Sequence, residues 1–504
     1  MFSTLILTAC LTIPAAVLSR STPQPTPVAV KIDPVTFDAF VGQYEDRTNH
    51  AGAIFSFFRE GDKYYMRVTN QEKGEIMPSA SNSFFGTMPS FAVTFHRDAN
   101  GRVTGATYDQ GSPFEIVRIA DTPQPDIRVA YARSELMIPM RDGIKLHTII
   151  FAPGGQTDKL PIYMERTPYG VDGWTSNRLN QARAELAHER YIFVFQDIRG
   201  RFKSDGTFVM MRPLRDKRDA KSVDESTDTY DTIDWLIKNV ANNNGRVGIA
   251  GVSYPGWLAA VALIDHHPAL KASSPQAPVT DVWLGDDLFH NGAFRETYAY
   301  DWAYNLEASK TDANITYDPA DTSKWFAPIG KLQSLAAQIA PKSPSWQGFI
   351  DHPSWDSYWQ ARATETYLKH ADIPTLVVGG WWDQEDMFGP LTLYKTLQKT
   401  DSDNKVSLVM GPWNHGGWGG RGRRLAAIDF GADTGNYFRA NIQAPFFAHY
   451  LKDKGNYTPP EVTSFRSGLD QWETYDSWSP RTNKVRDLYL GSGGKLGFDK
   501  PTDK

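Results

Sequence analysis

From Asp33 to Asp121 apolar and polar residues alternate in short runs broken by turn pairs. "AIFSFFREGDKYYMRVT" predicts two strands about Gly61-Asp62, and "FAVTFHRDANGRVTGATY" predicts two more about Asn100-Gly101, a strong hairpin signal. The expectation is a small antiparallel β domain over 33–121, joined to the next unit by the linker "TPQPD" (Thr122 to Asp126). From Ile127 the pattern changes. "KLHTIIFAP", "LPIYMER", "YIFVFQDIRG", "RVGIAGVSY", "TLVVGGWWD" and "VSLVMGPWNH" are short strands, most too uniformly apolar for a sheet with one wet face. Helical segments separate several of them; in "TYDTIDWLIKNV", Ile233, Leu236, Ile237 and Val240 recur at helical spacing. Buried strands alternating with helices predict a mainly parallel α/β sheet over 127–287 and 372–450. Between about Leu288 and Ala371 the strand pattern stops. "GAFRETYAYDWAYNLEAS" and "SYWQARATETYLKH" read as aromatic-rich helices, a cap inserted over 288–371. After Tyr450, "EVTSFRSGLDQWETYDSWSP" and "VRDLYLGS" look like the opening of an antiparallel β domain over 451–504. A β sandwich needs more chain than this, so the segment is expected to be the incomplete start of one, with an unclosed edge.

Composition narrows the picture. A chain of 504 residues suggests two or three domains. Its 41% hydrophobic and 22% charged residues are ordinary for globular proteins, and its 15 tryptophans and 22 tyrosines suit large aromatic-lined pockets. A net charge of −5 leaves no electrostatic footprint for nucleic acid. Residues 1–30 carry an uncharged apolar run and a polar, Pro-rich stretch, which reads as an export signal and not a membrane span. No Lys or Arg precedes that run. The expected location is therefore the periplasm or outside the cell. "LTAC" (Leu7 to Cys10) resembles a lipoprotein cleavage box, although chance within a signal peptide is the favoured reading. Cys10 is the only cysteine, so the folded part has no disulfide, thiol nucleophile or zinc–thiolate site.

"GVSYPG" (Gly251 to Gly256) follows the strand Val247 to Ala250 and precedes the apolar helix "WLAAVALID". It fits a G-x-S-x-x-G nucleophile elbow, which projects a serine hydroxyl at the positive end of a helix dipole. A serine nucleophile needs a base, and the base needs an orienting acid. His415 in "GPWNHGG" and Asp383 in "WWDQEDMFG" each stand just past a strand. Ser253, Asp383 and His415 occur in the chain order expected for such a sheet. Two more acids, Glu385 and Asp386, crowd beside Asp383 among Trp381, Trp382, Met387 and Phe388. Like charges so close raise one another's pKa and cost stability.

Together "GVSYPG", "ERTPYG", "DIRGRFKSDG", "WWDQEDMFG" and "GPWNHGG" resemble the cocaine esterase and X-Pro dipeptidyl-peptidase group of α/β-hydrolases, and most closely the α-amino acid ester hydrolases. The likeness covers most of Ile127 to Tyr450. It implies a doubly wound α/β-hydrolase sheet, a helical cap and a C-terminal β jelly roll. It further implies an oxyanion hole made by the backbone N–H of Tyr254 and the hydroxyl of Tyr169 in "RTPYG". It also implies a carboxylate cluster for the substrate's α-ammonium, mapping onto Asp287 in "GDDLFHNGAFR" and onto Glu385 and Asp386. The chemistry is sound, since a primary ammonium has three donors and a compact charge. The implied activity is cleavage, and transfer, of acyl groups from α-amino acid esters or amides, including β-lactam side chains, through an acyl-enzyme. No cofactor or metal is implied. The partner is a small amino ester, amide or peptide, and a homo-oligomer is left open.

Two features depart from the pattern. Pro255 follows Tyr254 where Glu is expected, and the N-terminal β domain is additional; it resembles a small β domain appended to some serine β-lactamase-like and peptidase proteins. The alternatives are an X-Pro dipeptidyl-peptidase, a broad carboxylesterase or acylase on the same triad, and, remotely, a non-catalytic binding protein.

Overall fold

Eight antiparallel strands close on themselves at the N-terminal end of the chain. They are Gly42–Asp46, Ile54–Glu60, Lys63–Val68, Gly74–Ala80, Ser83–Thr87, Ser90–Arg97, Val103–Asp109 and Pro113–Ala120, each paired with the next. The first pairs with the last, so the predicted β domain is a closed barrel with no free edge. Its interior is filled by rings: Phe40 stacks on Phe95 at 4.4 Å, and Tyr44 packs on Phe57 and donates its hydroxyl to Phe40 O at 2.9 Å. The protein is described by a computed structural model over residues 27–501, except 47–52, 70, 88–89, 125, 127, 220, 286, 314–320, 340–341, 369 and 481–485. Cys10 and most of the predicted export segment lie outside the described residues.

The second unit is a ten-stranded sheet. In spatial order its strands are Gln471–Tyr475, Val462–Arg466, Val406–Gly411, Thr375–Gly380, Leu270–Gln276, Asn243–Val252, Leu160–Thr167, Ile192–Asp197, Lys145–Pro153 and Tyr131–Pro139. The run from Val462–Arg466 to Ile192–Asp197 is parallel, and the outer strands are antiparallel. Helices Glu225–Asn239, Tyr254–Val261 and Phe388–Gln398 bury Leu236, Ala259 and Leu393 in one core layer. Helices Ser176–Ala182, Ala184–His188 and Ala444–Lys452 bury Leu179, Leu186 and Phe447 in another. Two such layers explain why the parallel strands are apolar on both sides. The helix predicted in "TYDTIDWLIKNV" begins earlier, because Asp224 and Thr227 form a capping box ahead of it.

The C-terminal expectation needs correcting. Val462–Arg466 and Gln471–Tyr475 do not open a separate jelly roll; they extend the central sheet. Val462 and Phe465 are buried there, and Trp381 Nε1 donates to Ser464 Oγ at 3.1 Å. Among the described residues after Tyr475, Tyr489–Gly491 and Lys495–Gly497 form a separate two-stranded ribbon.

The cap carries helices Glu296–Glu307, Thr322–Phe326, Leu332–Ile339 and Pro344–Asp351 around a core that includes Tyr300, Trp346 and Trp359. The helix predicted through "SYWQARATETYLKH" is shorter: Ser357–Gln360, then one 3-10 turn at Thr364–Thr366. Thr364 and Thr366 are poor helix formers because branching at Cβ restricts χ1.

Candidate active site

Because the central strands are parallel, the residues after Asn243–Val252, Thr375–Gly380 and Val406–Gly411 meet at one edge of the sheet, where such folds bind ligands. Ser253 sits in that turn at φ 66° and ψ −128°, a strained left-handed conformation for a residue with a side chain. Its backbone N–H donates to Gln276 O at 2.9 Å, which fixes the turn. The flanking glycines are steric requirements: a Cβ on Gly256 would lie 2.3 Å from Gln276 O, and one on Gly251 would lie 2.5 Å from the Pro255 backbone. Tyr254 opens the helix, and backbone N–H groups in a first turn have no intrahelical acceptor. The Tyr254 side chain has a different task, accepting Met211 N–H at 2.9 Å in the core.

His415 and Asp383 meet as the chain order predicts, with His415 Nδ1 2.9 Å from Asp383 Oδ2. Asp383 is buried, yet its carboxyl is held below the usual range: burial raises it, but the bond to His415 and the Glu385 and Asp386 N–H groups outweigh burial. His415 is pushed up to about 9; burial opposes its charge, but Asp383, then Glu385 and Asp287, outweigh that. Ser253 Oγ donates to Asp386 Oδ2 at 3.5 Å, and His415 Nε2 lies 3.6 Å from Glu385 Oε2. Among the described residues no hydrogen bond joins Ser253 to His415. Both face the acid cluster instead, and that link is one that commonly tightens only with substrate.

The structure also brings Asp287 beside Glu385 of the acid loop. Asp287 N–H donates to Glu385 O at 3.1 Å, and Asp287 and Asp386 are fully buried. Burial and the Glu385 charge push the Asp287 carboxyl up to about 6. Of the aromatic and apolar residues expected around the acid loop, Trp382 and Met387 are exposed, while Trp381 and Phe388 are half-buried. From the cap, Tyr298, absent from the sequence reading, donates to Asp287 Oδ1 at 2.7 Å and reaches Glu385 Oε2 at 3.1 Å. Trp302, one turn further along the same helix, donates its indole N–H to Tyr169 OH at 3.3 Å. Their i, i+4 spacing after "GAFR" was the available signal. Arg201, fully buried, ties the Tyr169 loop to that helix by donating from Nε to Pro168 O at 2.8 Å and from Nη1 to Leu306 O at 2.5 Å.

Elsewhere, Glu135, His147 and Asp172 present ligand atoms within 4.8 Å of one another. Lys203 Nζ already lies 2.8 Å from both carboxylates, so the group reads as an ion-pair network. No helix among the described residues is long and apolar enough to cross a membrane.

The sheet order, the strained serine elbow and the His–Asp pair at one edge define a serine hydrolase of the α/β-hydrolase fold. The family model for X-Pro dipeptidyl-peptidase (S15 family) matches residues 142–417, and the chain belongs to that family. It is 29% identical to the cocaine esterase of Rhodococcus sp. (strain MB1 Bresler) over 385 residues, 72% of this chain and 62% of the esterase. The structure of an aminopeptidase from a marine sediment Thaumarchaeota archaeon superposes with TM-score 0.71 at 41% identity, covering 76% of this chain and 64% of that one. An α-amino acid ester hydrolase structure gives TM-score 0.70 at 36% identity, covering 75% and 64%. The chain thus spans less than two thirds of the length of these relatives.

Proposed function

We propose that this protein hydrolyses esters or amides of single α-amino acids through an acyl-enzyme on Ser253. His415 takes the serine proton, Asp383 orients the imidazole, and Tyr254 N–H with the Tyr169 hydroxyl stabilises the oxyanion. Asp287, Glu385 and Asp386 bind the substrate's ammonium. The observation that carries this reading is the 3.5 Å between Ser253 Oγ and Asp386 Oδ2. In an α-amino acyl group the nitrogen lies about 2.5 Å from the carbonyl carbon; in an extended dipeptidyl group the separation is about 6 Å. An ammonium on Asp386 therefore leaves room for one residue, not two, before the nucleophile. The aminopeptidase and α-amino acid ester hydrolase likenesses support the same substrate class. Three carboxylates also disfavour an acidic acyl group such as glutaryl. Acyl transfer to an amine, as in β-lactam synthesis, is the same acyl-enzyme resolved by a nucleophile other than water.

The test compares phenylglycine methyl ester, phenylacetic acid methyl ester and a dipeptidyl-proline anilide. The amino ester should exceed the des-amino ester in kcat/KM by at least tenfold, with the anilide slowest. Equal values for the two esters would remove the ammonium role, and a fast anilide would favour dipeptidyl-peptidase action.

A further inference from the structure

Tyr298 stands in the first turn of the cap helix Glu296–Glu307, with its hydroxyl between two carboxylates from different parts of the chain: Asp287, just before the cap, and Glu385, on the acid loop. A phenol has one hydrogen, so the 2.7 Å and 3.1 Å contacts share it. Burial, with the charges of Asp287, Glu385 and Asp386, raises the phenol well above its ordinary value and keeps that hydrogen in place. The ring is fixed from its other side by the Arg295 guanidinium, 4.5 Å from the ring centre, whose Nη1 also donates to Asp287 O at 3.0 Å.

We propose that Tyr298 is a specificity-determining residue: by sharing one hydrogen between Asp287 and Glu385 it locks their spacing and turns their remaining oxygens, with Asp386, into a receptor matched to a compact primary ammonium. The inference rests on the ammonium-binding reading above and adds a residue outside the carboxylate set. Two like charges in a buried site repel, and without a shared donor one of them relieves the repulsion by taking a proton. A protonated Asp287 contributes no charge to an ammonium. The Tyr298 bond favours the ionised form of Asp287, against burial and Glu385, while His415 and Arg295 act in the same direction as Tyr298. Tyr298 thereby extends ammonium binding toward lower pH.

The experiment uses Tyr298→Phe, which keeps the ring, and Tyr298→Met as a second variant lacking both ring and hydroxyl. Steady-state kinetics on phenylglycine and phenylacetic acid methyl esters are measured from pH 5 to 9. KM for the amino ester should rise at least tenfold, the scale of a hydrogen bond to a charged group, with the des-amino ester affected by a much smaller factor. The acidic limb of the amino ester kcat/KM profile should move to higher pH, and that movement should vanish in an Asp287→Asn background. A merely structural role would lower both substrates by the same factor and leave the limb in place, which overturns the inference. An unchanged amino to des-amino ratio in folded Tyr298→Phe overturns it as well. Wild-type protein with no amino preference fails at the earlier step, the ammonium reading, and takes this inference with it.

Discussion

Asp383 Oδ1 accepts the backbone N–H of Glu385 at 2.9 Å, while Asp383 Oδ2 holds His415 at 2.9 Å. One carboxylate thus serves both the histidine and the acid loop, because the oxygen not used by the histidine shapes the loop that carries Glu385 and Asp386, the acids proposed above to bind an ammonium. The Asp386 N–H, at 3.0 Å from the same Oδ1, completes that turn.

The two contacts can be separated by substitution. Asp383→Asn keeps an oxygen for the two loop N–H groups but faces His415 with the wrong hydrogen-bonding group. It should lower kcat by about 10⁴, the loss seen when a triad acid becomes an amide, while the preference for amino over des-amino ester survives. Asp383→Ala should lose both. Inhibition of des-amino ester turnover by phenylglycinol, an amine with no acyl group, separates them: binding is retained in Asp383→Asn and lost in Asp383→Ala. Equal binding by the two variants would detach Asp383 from the acid loop.

The same charges set an unusual pH dependence. His415 holds its proton up to about 9, and it acts as a base only when neutral. For a des-amino ester, kcat/KM should therefore rise with pH through about 9. An ammonium bound at Asp287 and Glu385 offsets part of the negative field on His415, so with the amino ester the acidic limb of kcat should lie at lower pH. Binding also needs Asp287 ionised, above about 6, and the substrate amine protonated, below about 8. Amino ester kcat/KM should thus be bell-shaped, and the des-amino profile should not be. Superimposable profiles would mean that the acid cluster does not act on His415.

Much of this site was legible in the sequence, for physical reasons that vary by residue. Ser253, Asp383 and His415 each follow a short apolar run that is buried in the sheet, and the Gly-rich turns after those runs mark where the strands end. Leu270–Gln276 is not among the predicted strands, because "LKASSPQ" contains no apolar run. Its polar groups are satisfied inside the sheet, with Ser273 Oγ donating to Ala259 O and Ser274 Oγ to Leu376 O, each at 2.9 Å. The strands at Val462 and Gln471 were seen but placed in the wrong unit, since nothing local tells an added parallel strand from a new domain. Asp287, Glu385 and Asp386 were reached through resemblance, and the Tyr298 hydroxyl that joins Asp287 to Glu385 was not. Tyr298 and Glu385 lie far apart in sequence, and their contact depends on how the cap seats, which no periodicity encodes.

The cap also contacts the tyrosine proposed above for the oxyanion site, and a double-mutant cycle can measure how much that contact contributes. Trp302 donates to Tyr169 OH at 3.3 Å, which leaves the phenol hydrogen free to point at a developing oxyanion. Tyr169→Phe removes that donor and should cost about 10²–10³ in kcat, the scale of one lost oxyanion donor. Trp302→Phe keeps aromatic packing but releases the tyrosine hydroxyl, and should cost a smaller part of the same loss. Because Trp302 acts through Tyr169, the double variant should be no slower than Tyr169→Phe alone, a coupling that additive sites would not show. The measurement is kcat on both esters, since an oxyanion defect lowers each by the same factor. Losses that simply multiply would show that Trp302 serves the cap and not the oxyanion.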